Sequence, residues 1–315
     1  MIILRSSITI WALIALVSLS KQTPISSKIS SSKGCGTDPN TKKHQSISSS
    51  GGDRRFWVDL PSGYDKNTPA PLIISYHGHG SDSNQQRSSD QLSDANFNKD
   101  LQAIVVYPNG TASPEDGESS WQGAPYANKS VSDLDFTSDL LNYMRDNYCI
   151  DNTRIYAAGK SNGAGFVDTL ACAPVGGNFA AFAMASAALY SEVLGPYNGS
   201  LCVPANKPAP ILETHGTDDD TIDPTGVKKS HKVKLPSISS WLADWARRDG
   251  CSPNAINTTS SGLIHTTFDC NGNKDLIHGY LISGLGHVWP HPSNNDANFE
   301  GTSKVMDFFK AHTKA

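Results

Sequence analysis

Short apolar runs alternate along this chain with stretches of helical period, and polar, glycine-containing breaks separate them. Arg55–Pro61, Pro71–Tyr76, Ala103–Pro108, Arg154–Ala158, Ala209–Thr214 and Leu276–Ile282 read as strands, several of them apolar on both faces. Helices are expected over 133–147, 162–172, 236–249 and 301–312. The first is headed by a capping-box-like Ser132-x-x-Asp135 and carries a stripe of Leu134, Leu140, Leu141 and Met144. Strands alternating with helices predict an α/β domain with a mainly parallel sheet and helices on both faces. In such a sheet the loops that follow the strands meet along one edge, which is where chemistry should be sought.

Composition narrows the picture further. With 315 residues, 37% of them hydrophobic and 18% charged, the chain can bury a large core as one undivided domain over 34–315. A net charge of -4 gives no electrostatic footing for nucleic acid. The expected partner is a neutral or acidic polymer or a small ester, met by a monomer. At the N-terminus, Arg5 and the apolar stretch Ile8–Val17, closed by Ser18-Leu19-Ser20, read as a cleaved signal over 1–20. That run is shorter than the ~20 residues a spanning helix requires, so a membrane anchor is not expected. Residues 21–33, dominated by serine, read as a solvated arm.

Secretion makes the six cysteines an even set available for pairing. Cys251 and Cys270 flank a polar, hairpin-like excursion and are expected to bond to each other. Cys35, Cys149, Cys172 and Cys202 leave three pairings open. Sequons at Asn109, Asn128, Asn198 and Asn257 fall in expected loops and are candidate glycan sites.

The candidate chemistry begins at Gly159-Lys160-Ser161-Asn162-Gly163, between a strand and a helix. A nucleophilic serine on a strained turn needs small neighbours, because the chain folds back beneath it. A base and an orienting carboxylate must follow. His215-Gly216-Thr217-Asp218-Asp219-Asp220 closes one strand and Gly286-His287-Val288-Trp289 follows another, giving the order Ser, Asp, His. Taken singly, the aspartates could form a solvated turn and His287 could be a packed core residue; their order and placement favour a triad. His77-Gly78-His79-Gly80 follows the strand Pro71–Tyr76 and offers main-chain N–H groups to an oxyanion. The amides of His79 and Asn162 are the candidate donors. A metal pair at His77 and His79 lacks a third ligand at recognisable spacing. The 109–129 loop carries Trp121 and Tyr126, with Trp121 the candidate wall of an acyl pocket and plain packing its alternative.

These separated motifs, together with Ser120-Trp121-Gln122-Gly123, resemble the secreted serine esterases of carbohydrate esterase family one. That group is related to the polyhydroxybutyrate depolymerases, and within it this chain most resembles the fungal feruloyl esterases of type C or D. The resemblance runs from Cys35 to the C-terminus. It implies an α/β-hydrolase fold with Ser161 as nucleophile, His287 as general base and Asp219 as orienting carboxylate, since the family's H-G-x-x-D-x-x-(V/I) pattern aligns with His215, Gly216, Asp219 and Ile222. The chain departs from the family at Ala164, where many relatives carry glycine, and at Lys160, which sets an ammonium beside the elbow. The implied activity is hydrolysis of hydroxycinnamoyl esters of plant cell-wall polysaccharide, without cofactor or metal. Acetyl xylan esterase, polyhydroxyalkanoate depolymerase and an inactive carbohydrate-binding scaffold are the alternatives.

Overall fold

In a computed structural model, residues 30–314 are described. The expected signal segment and most of the expected arm lie outside them. Ten strands form one sheet: β1 (His44–Ser49), β2 (Gly52–Asp59), β3 (Ala70–Tyr76), β4 (Ile104–Pro108), β5 (Ile150–Lys160), β6 (Ala181–Ala185), β7 (Ile211–Gly216), β8 (Ala255–Ser260), β9 (Leu263–Phe268) and β10 (Ile277–Ile282). Their order is β1-β2-β4-β3-β5-β6-β7-β10-β9-β8. The central strands from β4 to β10 are mutually parallel, and antiparallel hairpins finish both edges.

Side-chain alternation divides the core into two layers. Leu72, Ile74 and Tyr76 of β3 join Ile104, Val106, Ile155 and Phe182 on one face. There they meet α2 (Asp133–Asn147), α3 (Asn162–Cys172) and α4 (Ile238–Arg248) through Leu140, Met144, Phe166, Leu170, Trp241 and Trp245. Ile73, Val105, Tyr107, Tyr156 and Leu212 point to the other face, where Val305, Met306 and Phe309 of α5 (Gly301–Ala311) cover them. α1 (Ser83–Asp90) lies on this second face, with buried Asp90 accepting hydrogen bonds from Ser75, Gln86 and Tyr107. Ser132 caps α2 by accepting the N–H of Asp135 at 3.2 Å.

Several features differ from the sequence expectations. β6, Ala181-Phe182-Ala183-Met184-Ala185, has a composition that favours helix; it is extended because β5 and β7 pair with it on both sides. β1 and β8 are polar edge strands with little apolar signal. Asn257 lies in β8 and not in a loop, with its Oδ1 accepting from Thr266 Oγ1. The end of the expected solvated arm is docked: Ser31 bridges to Asp151, and buried Ser32 donates through Oγ to the Tyr148 carbonyl while accepting the Ile150 N–H. Three disulfides, Cys35–Cys149, Cys172–Cys202 and Cys251–Cys270, pair all the cysteines, the last closing the base of the β8–β9 hairpin. Among the described residues no helix is long and apolar enough to cross a membrane.

Candidate active site

Strand β5, paired through its second half with β3 on one side and β6 on the other, runs straight into α3 through Ser161, whose backbone sits at φ 54°, ψ -119°. A side chain in this region is strained and persists only where its surroundings enforce it. They do so here by close approach. A Cβ on Gly159 would run into the Gly163 carbonyl, and one on Gly163 would collide with the Tyr76 and His77 carbonyl oxygens. The turn is held further by Ser161 N–H donating to the Ala185 carbonyl at 2.9 Å and by the Ser161 carbonyl accepting from Gly165 and Ala188.

Two loops bring the distant partners to this serine. The β7 loop carries Asp219 and the β10 loop carries His287. They are joined where Thr217 N–H donates to the Ile282 carbonyl, Asp218 N–H to the Leu285 carbonyl and Gly284 N–H to Thr217 Oγ1. His287 Nε2 then lies 2.8 Å from Ser161 Oγ, and His287 Nδ1 lies 2.8 Å from Asp219 Oδ2. Asp219 Oδ1 accepts the N–H groups of Thr221 and Ile222. Asp218 is instead engaged with its neighbour Thr217 at the surface.

A second histidine stands behind the triad. His215 is wholly buried, its Nδ1 2.8 Å from Glu213 Oε1 and its Nε2 2.8 Å from the Ile222 carbonyl and 3.2 Å from Asp219 Oδ2. All three facing oxygens are acceptors, so both ring nitrogens donate and the ring is an imidazolium. Burial opposes that charge, yet the carboxylates of Glu213 and Asp219 raise the His215 pKa to about 10. For Asp219, burial alone would raise the pKa, but hydrogen bonds from His215 and His287 hold it well below the usual carboxylate range. His287 is lowered from its ordinary value by burial and by the Lys160 ammonium, against the pull of Asp219. The carboxylate therefore stays ionised while the imidazole is free to accept a proton near neutrality. The sequence signal for His215 was the H-G motif itself, whose partner Glu213 was hidden in an apolar strand.

The proposed oxyanion donors flank Ser161. A Cβ on Gly78 would stand 3.3 Å from Ser161 Cβ, so the His77–Gly80 loop passes directly over the serine. Among the described residues the main-chain N–H groups of His79 and Asn162 have no protein acceptor. His77 fixes this loop: its Nε2 accepts the Gly110 N–H at 2.9 Å, which leaves Nδ1–H to donate to the Gly78 carbonyl, and burial lowers its pKa to about 4. His79 turns elsewhere, its Nε2 3.1 Å from Asp116.

Trp121 does not line the cleft. It is fully buried, stacks on Phe166, meets Tyr76 edge-on and donates through Nε1 to the His77 carbonyl. Its backbone is clamped by the Asn162 side chain, which accepts from Trp121 N–H and donates to the Trp121 carbonyl. This tryptophan joins the elbow to the oxyanion loop; the apolar surface of an indole is best satisfied in such a core. The 109–131 loop around it is tied down by the buried Arg54–Asp133 pair and by Gln122, which accepts the N–H groups of Asp133 and Leu134. The residue of that loop which does reach the cleft is Tyr126.

Above Ser161 lies a cavity of about 350 Å³ lined by His79, Tyr126, Lys160, Tyr190, His231 and His287 among others. Tyr126 packs at 4.0 Å on His79 and at 4.7 Å on His231, and Tyr190 bonds to Ser230 through its hydroxyl. His231 and Lys232 both have positive φ at the tip of the hairpin formed by Lys229–Ser230 and Val233–Lys234. Nothing in the sequence marked Tyr190 or His231, because a wall built from separate loops leaves no local pattern. Of the sequon asparagines, Asn109 is half-buried and holds the first turn of α1 by accepting the Ser83 N–H; Asn128 accepts from Ser130, and Asn198 heads a short turn at Gly199–Leu201.

No protein-family model matches the chain. It is 28% identical to feruloyl esterase B of Piromyces equi over 239 residues, which are 75% of this chain and 42% of that protein. It is 26% identical to feruloyl esterase D of Neurospora crassa over 312 residues, covering 93% of this chain and 92% of the relative. An acetyl xylan esterase from Aspergillus awamori superposes with a TM-score of 0.59 over 85% of this chain and 99% of that one, at 14% identity. The fold is that of the α/β-hydrolases, and the sequence is similar to feruloyl esterases over most of its length.

Proposed function

We propose that the protein is a secreted serine esterase that hydrolyses feruloyl and related hydroxycinnamoyl esters of plant cell-wall polysaccharide. The observation that carries this reading is the unbroken Ser161–His287–Asp219 hydrogen-bond chain opening onto a cleft walled by Tyr126, Tyr190 and His231. Similarity to feruloyl esterases along most of the chain supports the acyl group.

In this reading His287 takes the Ser161 proton as Oγ attacks the ester carbonyl, and the amides of His79 and Asn162 receive the oxyanion. Collapse of the tetrahedral intermediate breaks the bond to the sugar oxygen, which leaves with the proton from His287. A water that gives its proton to His287 then attacks the acyl-enzyme, and the acid departs as Ser161 recovers its hydrogen. Asp219 keeps Nδ1 protonated and stabilises the imidazolium at both steps. Secretion accords with three disulfides, and exposed Asn257 on β8 is the sequon best presented for a glycan.

Initial rates on methyl ferulate, acetylated xylan and short polyhydroxybutyrate should be highest for the ferulate. Faster release of acetate would overturn the ranking in favour of an acetyl xylan esterase. The pH profile carries a second expectation. Since His287 must be neutral to act and its pKa is lowered, the acid limb of kcat/KM should have its midpoint below pH 6.5. A midpoint at or above that value would contradict the environment described for His287.

A further inference from the structure

Lys160 precedes the nucleophile and lines the cavity above it together with Ser161 and His287. Among the residues lining that cavity are this lysine and three histidines but no aspartate or glutamate, in a chain of net charge -4. Among the described residues no carboxylate stands within salt-bridge range of its ammonium. Asp219, the acid whose charge acts on it, has its oxygens taken by His215, His287 and the amides of Thr221 and Ile222. Burial lowers the Lys160 pKa against that residual attraction, so the cation has lost water without gaining a partner.

A partly desolvated cation at the mouth of a reaction site gains most from an anion brought by the ligand. Resting on the esterase reading above, we propose that the cleft takes esters bearing a second, carboxylate group, which Lys160 holds beside the scissile bond. The carboxylate belongs either to the acyl part, as in the half-ester of a dicarboxylic acid, or to the alcohol part, as in a uronic acid. The cavity's volume of about 350 Å³ is at the compact end of the range for small-ligand sites, so a carboxylate a few bonds from the ester would come within reach of the ammonium.

Two matched pairs of esters test this. For the acyl part, 4-nitrophenyl hydrogen glutarate is compared with 4-nitrophenyl valerate; for the alcohol part, carboxymethyl ferulate is compared with methyl ferulate. In Lys160→Met the ratio of kcat/KM for the charged to the neutral ester should fall roughly tenfold or more in one pair, the scale of a single charge-assisted contact, and the pair that responds identifies the source. Lys160→Arg should preserve the ratio. A ratio equal to that of the wild type in both pairs overturns the proposal, as does an equal fall for charged and neutral esters, the result expected if Lys160 acted only through the His287 imidazole. Labelling of Ser161 by a fluorophosphonate verifies that each variant is folded. Wild-type protein that hydrolyses neither neutral ester would instead refute the esterase reading, a distinct outcome.

Discussion

Ser161→Ala should lower kcat/KM for methyl ferulate by roughly 10⁵-fold and abolish fluorophosphonate labelling. In the proposed mechanism the hydroxyl is the attacking atom, and it lies 2.8 Å from His287 Nε2. Its removal leaves the amides of His79 and Asn162 and the cleft walls in place, so substrate binding and a small residual rate are the expected remainder. The fold should survive, because alanine meets the same φ of 54° that serine already tolerates and the glycines that permit the turn are untouched. Measured turnover within tenfold of the wild type, with an unchanged melting temperature, would remove Ser161 from the role of nucleophile.

Asp219→Asn should cost about 10³- to 10⁴-fold in kcat/KM. The reason lies in what surrounds the carboxylate. Oδ2 receives hydrogen bonds from His287 and His215, and Oδ1 receives them from Thr221 N–H and Ile222 N–H. Every neighbour is a donor, so either orientation of an amide turns its own N–H₂ toward a donor, leaving His287 misaligned or in the wrong tautomer. The substitution also removes one of the two charges that hold His215 as an imidazolium. A loss of melting temperature should therefore accompany the loss of rate, unlike the case of Ser161→Ala. Equal stability and near-normal turnover in the asparagine variant would show that the ion cluster is not what aligns the base.

The buried Glu213–His215–Asp219 cluster makes the acid of the proposed triad part of the core. Its charges are desolvated, which is costly, and each is compensated by an opposite neighbour within hydrogen-bonding distance. Glu213 Oε2 has no hydrogen-bond partner among the described residues, so the compensation is incomplete. This arrangement keeps Asp219 ionised and in one orientation, as its proposed role of orienting His287 requires.

Local chemistry made part of this protein legible in its residues alone. Gly159 and Gly163 announce a strained serine because only hydrogen fits where they approach the neighbouring backbone, and that requirement is written in the sequence at the point where it applies. The helix at 133–147 is equally plain, since a cap and an apolar stripe are properties of consecutive residues. Tertiary structure alone decided the rest. β6 is a strand only because two neighbours claim its hydrogen bonds; Trp121 became scaffold because Asn162 and the His77 carbonyl engage it across the fold. The pairing of Cys35 with Cys149, the imidazolium at His215 and the cleft wall of Tyr190 and His231 likewise depend on contacts between segments far apart in the chain. A sequence states what each residue can do, and close packing determines which partner it meets.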